Sequence, residues 1–268
     1  MKYSKYDAIL SFLAVSTLFF YFWWCVAFED LSVGTNIALG ALGVFLYWFN
    51  TLVIQHNHIH TPFFKNGILN RLLELVISSS QGMPYILFSV QHMHHHAHSN
   101  SLKDYSSTYR YGKNGENENW LTYCLFSPYR EGSTEVVKMI LKKGRARELF
   151  TELFVVVMTV SIWIYLDTVW FLTCFLPVFF MGWFLNSMEN YFEHKAAKDP
   201  GNRFSNSVSY YGRLYNKLFC NEGYHQEHHI EPQTHWTGRP DVRVRYYNKL
   251  EQNDLTISKF PPLLGYLD

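Results

Sequence analysis

The stretch AILSFLAVSTLFFYFWWCVAF, residues 8–28, contains no charged residue. A helix of this length crosses the hydrocarbon core of a bilayer, which is about 30 Å thick. Residues 31–55 are also uncharged, and residues 149–166 and 168–188 form two further apolar runs on either side of Asp167. These runs predict an all-α integral membrane protein with four transmembrane helices in two hairpins.

The composition of the whole chain agrees with such spans. Its 268 residues are 48% hydrophobic and 18% aromatic, and the formal net charge is only +1. The absence of a basic surplus is not typical of nucleic-acid-binding proteins, which carry a positive footprint. We therefore expect the lipid bilayer as a partner and no nucleic acid.

The distribution of basic residues predicts the orientation. No Lys or Arg lies between Tyr6 and Phe64 or between Glu148 and His194. Short loops that carry Lys and Arg stay on the cytoplasmic side of a membrane. Both termini are therefore expected in the cytoplasm, with a helical cap formed by residues 56–148 and 189–268. We expect a single membrane domain over residues 1–268, because no linker or repeat divides the chain.

Two shorter segments and the cysteines complete the outline. Residues 72–90 are less apolar than the spans, and a Gly82–Met83–Pro84 break predicts an interfacial or re-entrant piece. Gly and Asn turn signals in residues 105–120 predict an exposed loop. The four cysteines form no C-x-x-C pair, and the two outside the spans are expected on the reducing side, where disulfides are rare. They are expected to be structural.

All thirteen histidines lie in four short places, each after a predicted span or in a predicted cytoplasmic segment. Positions i, i+3 and i+4 of a helix share one face. The motifs HNHIH (56–60), HMHHH (92–96), NYFEH (190–194) and HQEHH (225–229) all contain residues with this spacing. Nine histidines are thereby singled out as candidate metal ligands: His56, His60, His92, His95, His96, His194, His225, His228 and His229.

Nine imidazoles exceed the roughly four ligands that one zinc ion takes. They suit two transition-metal ions with open positions, since imidazole binds Fe, Cu, Ni and Zn. The register of residues 92–98 stays open, because His94 and His98 are also one turn apart. We expect His58 and His94 to support a ligand or face solvent, and His235 to be structural.

The four motifs resemble the histidine boxes of the membrane fatty acid desaturase/hydroxylase superfamily. The order of spans and boxes is similar over residues 8–235. The resemblance implies a centre of two iron ions at the cytosolic ends of four membrane helices, with O2 as cosubstrate and a hydrophobic long-chain substrate. It implies the nine histidines above as iron ligands, and Asn190 falls where some acyl desaturases use an asparagine near one iron.

The resemblance leaves the reaction open. NYFEHK is similar to a segment of alkane hydroxylases, whereas GYHQEHHIEP is similar to acyl-lipid desaturases and carotenoid ketolases. We expect O2-dependent oxidation of an unactivated C–H bond, with desaturation favoured. The alternatives are hydroxylation or ketolation of an alkane, fatty acid or carotenoid, and oxidative decarboxylation of a fatty acid to a terminal alkene.

Electrons must come from a separate protein. The chain has no C-x-x-C-H, paired C-x-x-C or G-x-G-x-x-G motif. A ferredoxin, rubredoxin or cytochrome with its reductase is therefore expected. The cluster of Lys142, Lys143, Arg145 and Arg147 either docks an acidic carrier or anchors the next span at the membrane surface.

Carboxylates beside the boxes have two interpretations. They either accept hydrogen bonds from the N–H groups of metal-binding histidines or are ordinary solvated side chains. These residues are Glu189, Glu193, Glu222, Glu227 and Glu231.

Two other functional classes fit the sequence less well. A soluble ferritin-like enzyme needs two E-x-x-H pairs, and only Glu222–His225 fits. A metal transporter places ionisable residues along a path near the bilayer middle. The middles of the predicted spans carry no His, Asp or Glu. This absence disfavours a metal-binding membrane transporter, which stays as the non-enzyme alternative.

Overall fold

The computed structural model describes residues 1–130 and 132–268 and is mostly helical. Long apolar segments form the longest helices, since a helix satisfies its backbone polar groups internally. The α-helices, in chain order, are α1 (Tyr6–Ala27), α2 (Val33–Phe49), α3 (His56–His60), α4 (Gly67–Gln81), α5 (Tyr85–His98), α6 (Trp120–Arg130), α7 (Ser133–Lys142), α8 (Ala146–Leu166), α9 (Thr168–Trp170), α10 (Leu176–His194), α11 (Arg213–Leu218), α12 (His225–Ile230) and α13 (Arg239–Gln252).

Four helical stretches among the described residues are long and apolar enough to cross a membrane. They are Tyr6–Asp30, Val33–His60, Ala146–Leu166 and Thr168–His194. Each coincides with a predicted span. The second and fourth continue past their predicted ends at 55 and 188, so each ends in a histidine. The pairing of the spans in hairpins and the cytosolic side of the cap stay predictions.

The second and fourth of these stretches each contain a π-helical turn, Asn50–Gln55 and Phe171–Phe175. Such a turn rotates the residues after it relative to an uninterrupted α-helix, and π-bulges are frequent at functional sites. Asn50–Gln55 directly precedes α3. It therefore sets the face on which the histidines of α3 lie.

The described residues form two compact units. Unit 1 contains residues 1–90 and 134–183, and unit 2 contains residues 91–133 and 184–268. The expected organisation as a single domain stays a prediction.

Aromatic side chains form the core of unit 1. The rings of Tyr21 and Phe175 meet edge to face with centroids 5.5 Å apart, and those of Trp24 and Trp170 do the same at 5.6 Å. The hydroxyl of Tyr21 donates to the carbonyl of Gly43 at 2.9 Å. Burying these rings removes large apolar areas from water or lipid contact and fixes α1 against its neighbours.

A buried ion pair also links the helices of unit 1. Glu152, in the first turns of α8, is fully buried and pairs with Arg71 of α4. Its other carboxylate oxygen accepts from the backbone N–H of Ile86 at 2.7 Å. One carboxylate therefore links α4, α5 and α8. Removing one partner of such a pair typically lowers the free energy of unfolding by several kcal/mol.

Unit 2 packs around the last turns of α10. Tyr191 and Phe192 lie against Tyr123 and Cys124 of α6 in a buried cluster. A pair of two-residue parallel strands, β1 (Val208–Ser209) and β2 (Thr256–Ile257), joins the C-terminal segment to this unit. The all-α prediction did not include this pair.

The two shorter segments partly match their predictions. The break at Gly82, whose φ is +63°, separates α4 from α5, and the interfacial position of this segment stays a prediction. Residues 101–119, all of which the structure describes, form turns as predicted. Ser106, Ser107 and Thr108 are nevertheless buried, so full exposure of the loop was wrong. The four cysteines, all described, are free.

Candidate metal centre

Seven of the predicted ligands lie in unit 2, on three helices. α5 carries His92, His95 and His96, α10 ends at His194, and α12 carries the remaining three, His225, His228 and His229. Because α5 and α12 are helical over these residues, the H-x-x-H-H spacing presents three imidazoles along one side of each.

The first group in unit 2 consists of His92, His96 and His228. Nε2 of His96 lies 3.0 Å from Nε2 of His92 and 3.0 Å from Nε2 of His228. All three rings direct the same nitrogen to one point.

The second group consists of His95, His194, His225 and His229, which are all buried. Each offers one nitrogen, and the four nitrogens lie within 4.8 Å of one another. Nε2 of His225 is 3.2 Å from Nε2 of His194. The two groups are adjacent, with the ring centroids of His96 and His229 4.5 Å apart.

These distances fit metal coordination. Imidazole nitrogens bind a transition metal at about 2.0–2.1 Å. Two ligands at that distance are separated by roughly 2.9–3.4 Å in octahedral or tetrahedral geometry. The Nε2 separations of 3.0 and 3.2 Å fall in this interval. The buried Nε2 atoms of His95 and His229 have no hydrogen-bond partner among the described residues, as expected for atoms directed at a metal.

The Nδ1 atoms of the histidines in the second group contact residues that do not belong to the group. Nδ1 of His194 donates to the carbonyl of Asn206 at 3.1 Å, and Nδ1 of His229 lies 3.3 Å from the Ser99 hydroxyl. Nδ1 of His225 lies 3.3 Å from Oε1 of Glu193, a contact without hydrogen-bond geometry. A partner on Nδ1 fixes both the ring orientation and the tautomer that leaves Nε2 for a metal.

Asp104 provides the shortest of these contacts. One of its oxygens lies 2.7 Å from Nδ1 of His95. Burial works to raise the pKa of this carboxyl, but the contact with His95 and the N–H groups of Ser106 and Asn100 outweigh it and lower the pKa. The carboxylate is therefore ionised and makes the imidazole of His95 more basic as a ligand.

Burial and neighbouring imidazoles keep His229 neutral. Burial lowers the pKa of His229 well below its usual value, and the neighbouring His225, His194 and His95 lower it further. Only a neutral imidazole can bind a metal through Nε2. Packing the histidines together therefore favours the ligand form at neutral pH.

The other two predicted ligands, His56 and His60, lie in unit 1. Both are buried on α3, one helical turn apart, with ring centroids 5.3 Å apart. The H-x-x-x-H spacing thus gives one shared face, as the sequence predicted.

The remaining histidines have structural contacts. His58 is buried rather than facing solvent, and its Nδ1 accepts from the N–H of Phe63 at 3.2 Å. His94 stacks on Tyr105 and contacts the carbonyl of Lys103 at 3.0 Å. The side chain of His235 accepts from the N–H of Thr237, in agreement with the structural role predicted for it.

Asn190 is held by packing contacts. Its side-chain nitrogen donates to the Tyr123 hydroxyl at 2.7 Å and to the carbonyl of Ser106 at 3.1 Å. A metal contact would therefore have to use its oxygen, and this role stays a prediction.

The five carboxylates beside the boxes divide into different environments. Glu193 contacts His225, while Glu227 is buried and accepts from Ser209 and Tyr211. Glu222 pairs with Arg239 at 3.0 Å, and Glu189 is buried. Glu231 pairs with the exposed Arg245, so it alone of these five, all described, matches the expectation of a solvated side chain.

Asp104, Ser99 and Asn206 were missed by sequence reasoning. They lie in irregular segments, nine residues from His95 in the case of Asp104, and no helical spacing relates them to the boxes. An acidic residue soon after a histidine box was the only sign of Asp104.

A comparison with family models agrees with this site. The model described as fatty acid desaturase matches residues 35–261, which is well over half of the chain and includes all four histidine motifs. None of the curated proteins compared with the chain matches it.

Proposed function

The chain belongs to the fatty acid desaturase family, and we propose that it catalyses O2-dependent oxidation of an unactivated C–H bond in a long-chain lipid or fatty acyl substrate, with desaturation as the outcome. Family membership makes the chain an oxidoreductase of lipids. The convergence of the Nε2 atoms of two histidine groups is the observation that supports the proposal.

We assign two iron ions to the site. The second group would hold one iron, and His92, His96 and His228 would contribute to the other, with Asn190 near one of them. When bound, the two ions would supply the redox chemistry that reduces O2 and removes hydrogen from the substrate. The proposed ligands are His56, His60, His92, His95, His96, His194, His225, His228 and His229, with Asn190.

The protein residues would perform three tasks in this reaction. The Nδ1 partners orient the imidazoles, as Asp104 does for His95. A lowered pKa keeps the buried His229 neutral. Burial of nearly all ligands excludes water, which protects reactive species from side reactions.

The bilayer would deliver the substrate. A hydrophobic chain partitions into the membrane, and four helical stretches long and apolar enough to cross it support the same location for this protein. Both termini and the metal centre are proposed to face the cytoplasm, where a separate electron donor and its reductase would supply reducing equivalents.

Lipid mass spectrometry tests the function. Cells would express the wild type, His228→Ala or the control His235→Ala, with a reductase system and fed long-chain fatty acids and alkanes. The expected result is a product two hydrogens lighter than its precursor, in the wild type and the control but not in His228→Ala.

Other outcomes assign other reactions. A product one oxygen heavier indicates hydroxylation, a ketone indicates ketolation, and loss of the carboxyl carbon with a terminal alkene indicates decarboxylation. Full product formation by His228→Ala would show that the ligand assignment is wrong. Stoichiometric iron on the purified chain without any product would favour the metal-transporting alternative.

A further inference from the structure

A cleft in unit 2 opens beside the first histidine group. It lies between residues 96–103 and residues 200–206 and has a volume of about 670 Å³. Of the seven histidines in the two groups of unit 2, all described, His96 alone is partly exposed, and it lines this cleft. The cleft is therefore where solvent comes nearest to the candidate ligands of this unit.

The floor of the cleft also touches the second histidine group. Ser99 lines the cleft and its hydroxyl lies 3.3 Å from Nδ1 of His229. Asn206 lines it too, and its carbonyl accepts from Nδ1 of His194 at 3.1 Å. The cleft thus reaches the first group directly, through His96. It reaches the second group through one intervening residue, Ser99 or Asn206.

The rim of the cleft is cationic. Lys103 and Arg203 line it, and its described lining residues include no carboxylate. Arg203 is fixed by donating to the carbonyl of Ile230 at 2.8 Å. Leu102, 70% exposed, adds an apolar contact on the same rim. Positive charges around an exposed apolar residue suit a partner whose surface is acidic with a small apolar centre.

The basic cluster at residues 142–147 is the rival surface. Arg145 there is engaged by Glu148 through Nε at 2.9 Å and through Nη2. Part of the charge of the cluster is therefore compensated.

Building on the proposed function, which requires electrons from outside the chain, we propose that this cleft docks the acidic surface of a small electron-carrier protein. At each encounter the reduced carrier loses one electron and the metal centre gains it, with no atom transferred. Electrons would enter through His96, since it is both a proposed ligand and part of the cleft surface. Lys103 and Arg203 steer and orient the carrier.

Carrier binding to the full-length, metal-loaded chain in lipid nanodiscs tests the docking surface. The probes are an acidic plant-type [2Fe–2S] ferredoxin and an acidic rubredoxin, titrated by calorimetry at low and high salt. The wild type should bind at least one probe, more weakly at high salt. Lys103→Glu should raise the Kd roughly tenfold, because it removes an attraction and adds a repulsion.

Lys142→Glu is the matched control, with the same charge change on an exposed lysine of the rival cluster. It should leave the Kd within about twofold of the wild type. The proposal is overturned if neither probe binds, if Lys103→Glu binds like the wild type, or if Lys142→Glu weakens binding as much.

A single turnover driven by dithionite separates this inference from the proposed function. Product formed equally by the wild type and Lys142→Glu, with carrier affinity lost only in Lys103→Glu, supports both. Product without any carrier binding overturns the docking surface alone. Absence of product from both chains overturns the function, whereas the binding measurements still decide where a carrier docks.

Discussion

Nδ1 of His95 lies 2.7 Å from Oδ2 of Asp104, and both side chains are buried. The carboxylate is itself held by the backbone N–H groups of Asn100 at 2.8 Å and Ser106 at 2.9 Å. Hydrogen bonds thus fix the irregular segment where it meets α5. The orientation of His95 is determined by residues that come after it in the chain.

Replacing this carboxylate should weaken metal binding. Asp104→Asn keeps the size of the side chain but removes the charge that polarises His95, and changes to such partners typically cost 10–100-fold in metal affinity or activity. Competition with a chelator, followed by iron analysis, measures the loss. Glu231→Gln is the control, since Glu231 pairs with an exposed arginine. Equal iron retention by both variants would contradict the role of Asp104.

Neighbouring histidines on α5 should differ in their effect on iron content. His95→Ala removes a member of the second group and is expected to lower bound iron from about two ions to about one per chain. His94→Ala removes a ring that stacks on Tyr105 and belongs to neither group, so iron should be retained. Elemental analysis of the two purified variants makes the comparison. Loss of iron from His94→Ala instead would indicate the other register of this box.

A close helix contact in unit 1 should make Gly182→Ala destabilising. A Cβ at Gly182 would clash with the ring of Tyr47, which is buried. Relief requires a shift of the ring or backbone, and such overpacking typically costs about 1–3 kcal/mol. Thermal unfolding followed by circular dichroism should show a lower Tm.

Gly67→Ala is the matched control for that substitution. A Cβ there meets no atom within 4 Å. Its Tm should therefore equal or slightly exceed that of the wild type, because alanine also favours the helix. A similar loss in both variants would mean that the contact with Tyr47 is not the cause.

The metal-free protein should lose stability in mild acid. The pKa of His229 is lowered on folding, because burial and neighbouring imidazoles oppose its charge. Below a pH of about 6.5 the unfolded chain takes up a proton at this residue and the folded chain does not. The free energy of unfolding should therefore decrease as the pH is lowered, by on the order of 1 kcal/mol per pH unit.

The Tm of the chelator-treated chain at pH 7.5 and 5.5 tests this dependence, with His229→Gln as the reference without the titrating ring. The variant should show a smaller drop. An unchanged or higher Tm of the wild type at pH 5.5 would contradict the assignment of a neutral buried His229.

Local spacing explains what the sequence could predict. Uncharged runs predicted the apolar helices, and the i, i+3, i+4 spacing predicted shared faces for His92, His95 and His96, because both depend only on helix geometry. The contact of Asp104 with His95 depends on the path of a turn, and that of Asn206 with His194 on a segment twelve residues away. No periodicity encodes such contacts. The same holds for the pairing of Glu152 with Arg71, whose helices are far apart in sequence.

The composition of the two histidine groups in unit 2 has a consequence for biosynthesis. Each group combines residues of α5 with residues of α12, so the first is incomplete before residue 228 and the second before residue 229 has left the ribosome. A nascent chain that has emerged only as far as α5 presents isolated imidazoles, which hold metal far less tightly than a complete set. A metal that binds these groups is therefore expected to bind tightly only at the last stage of synthesis, when both groups are in place.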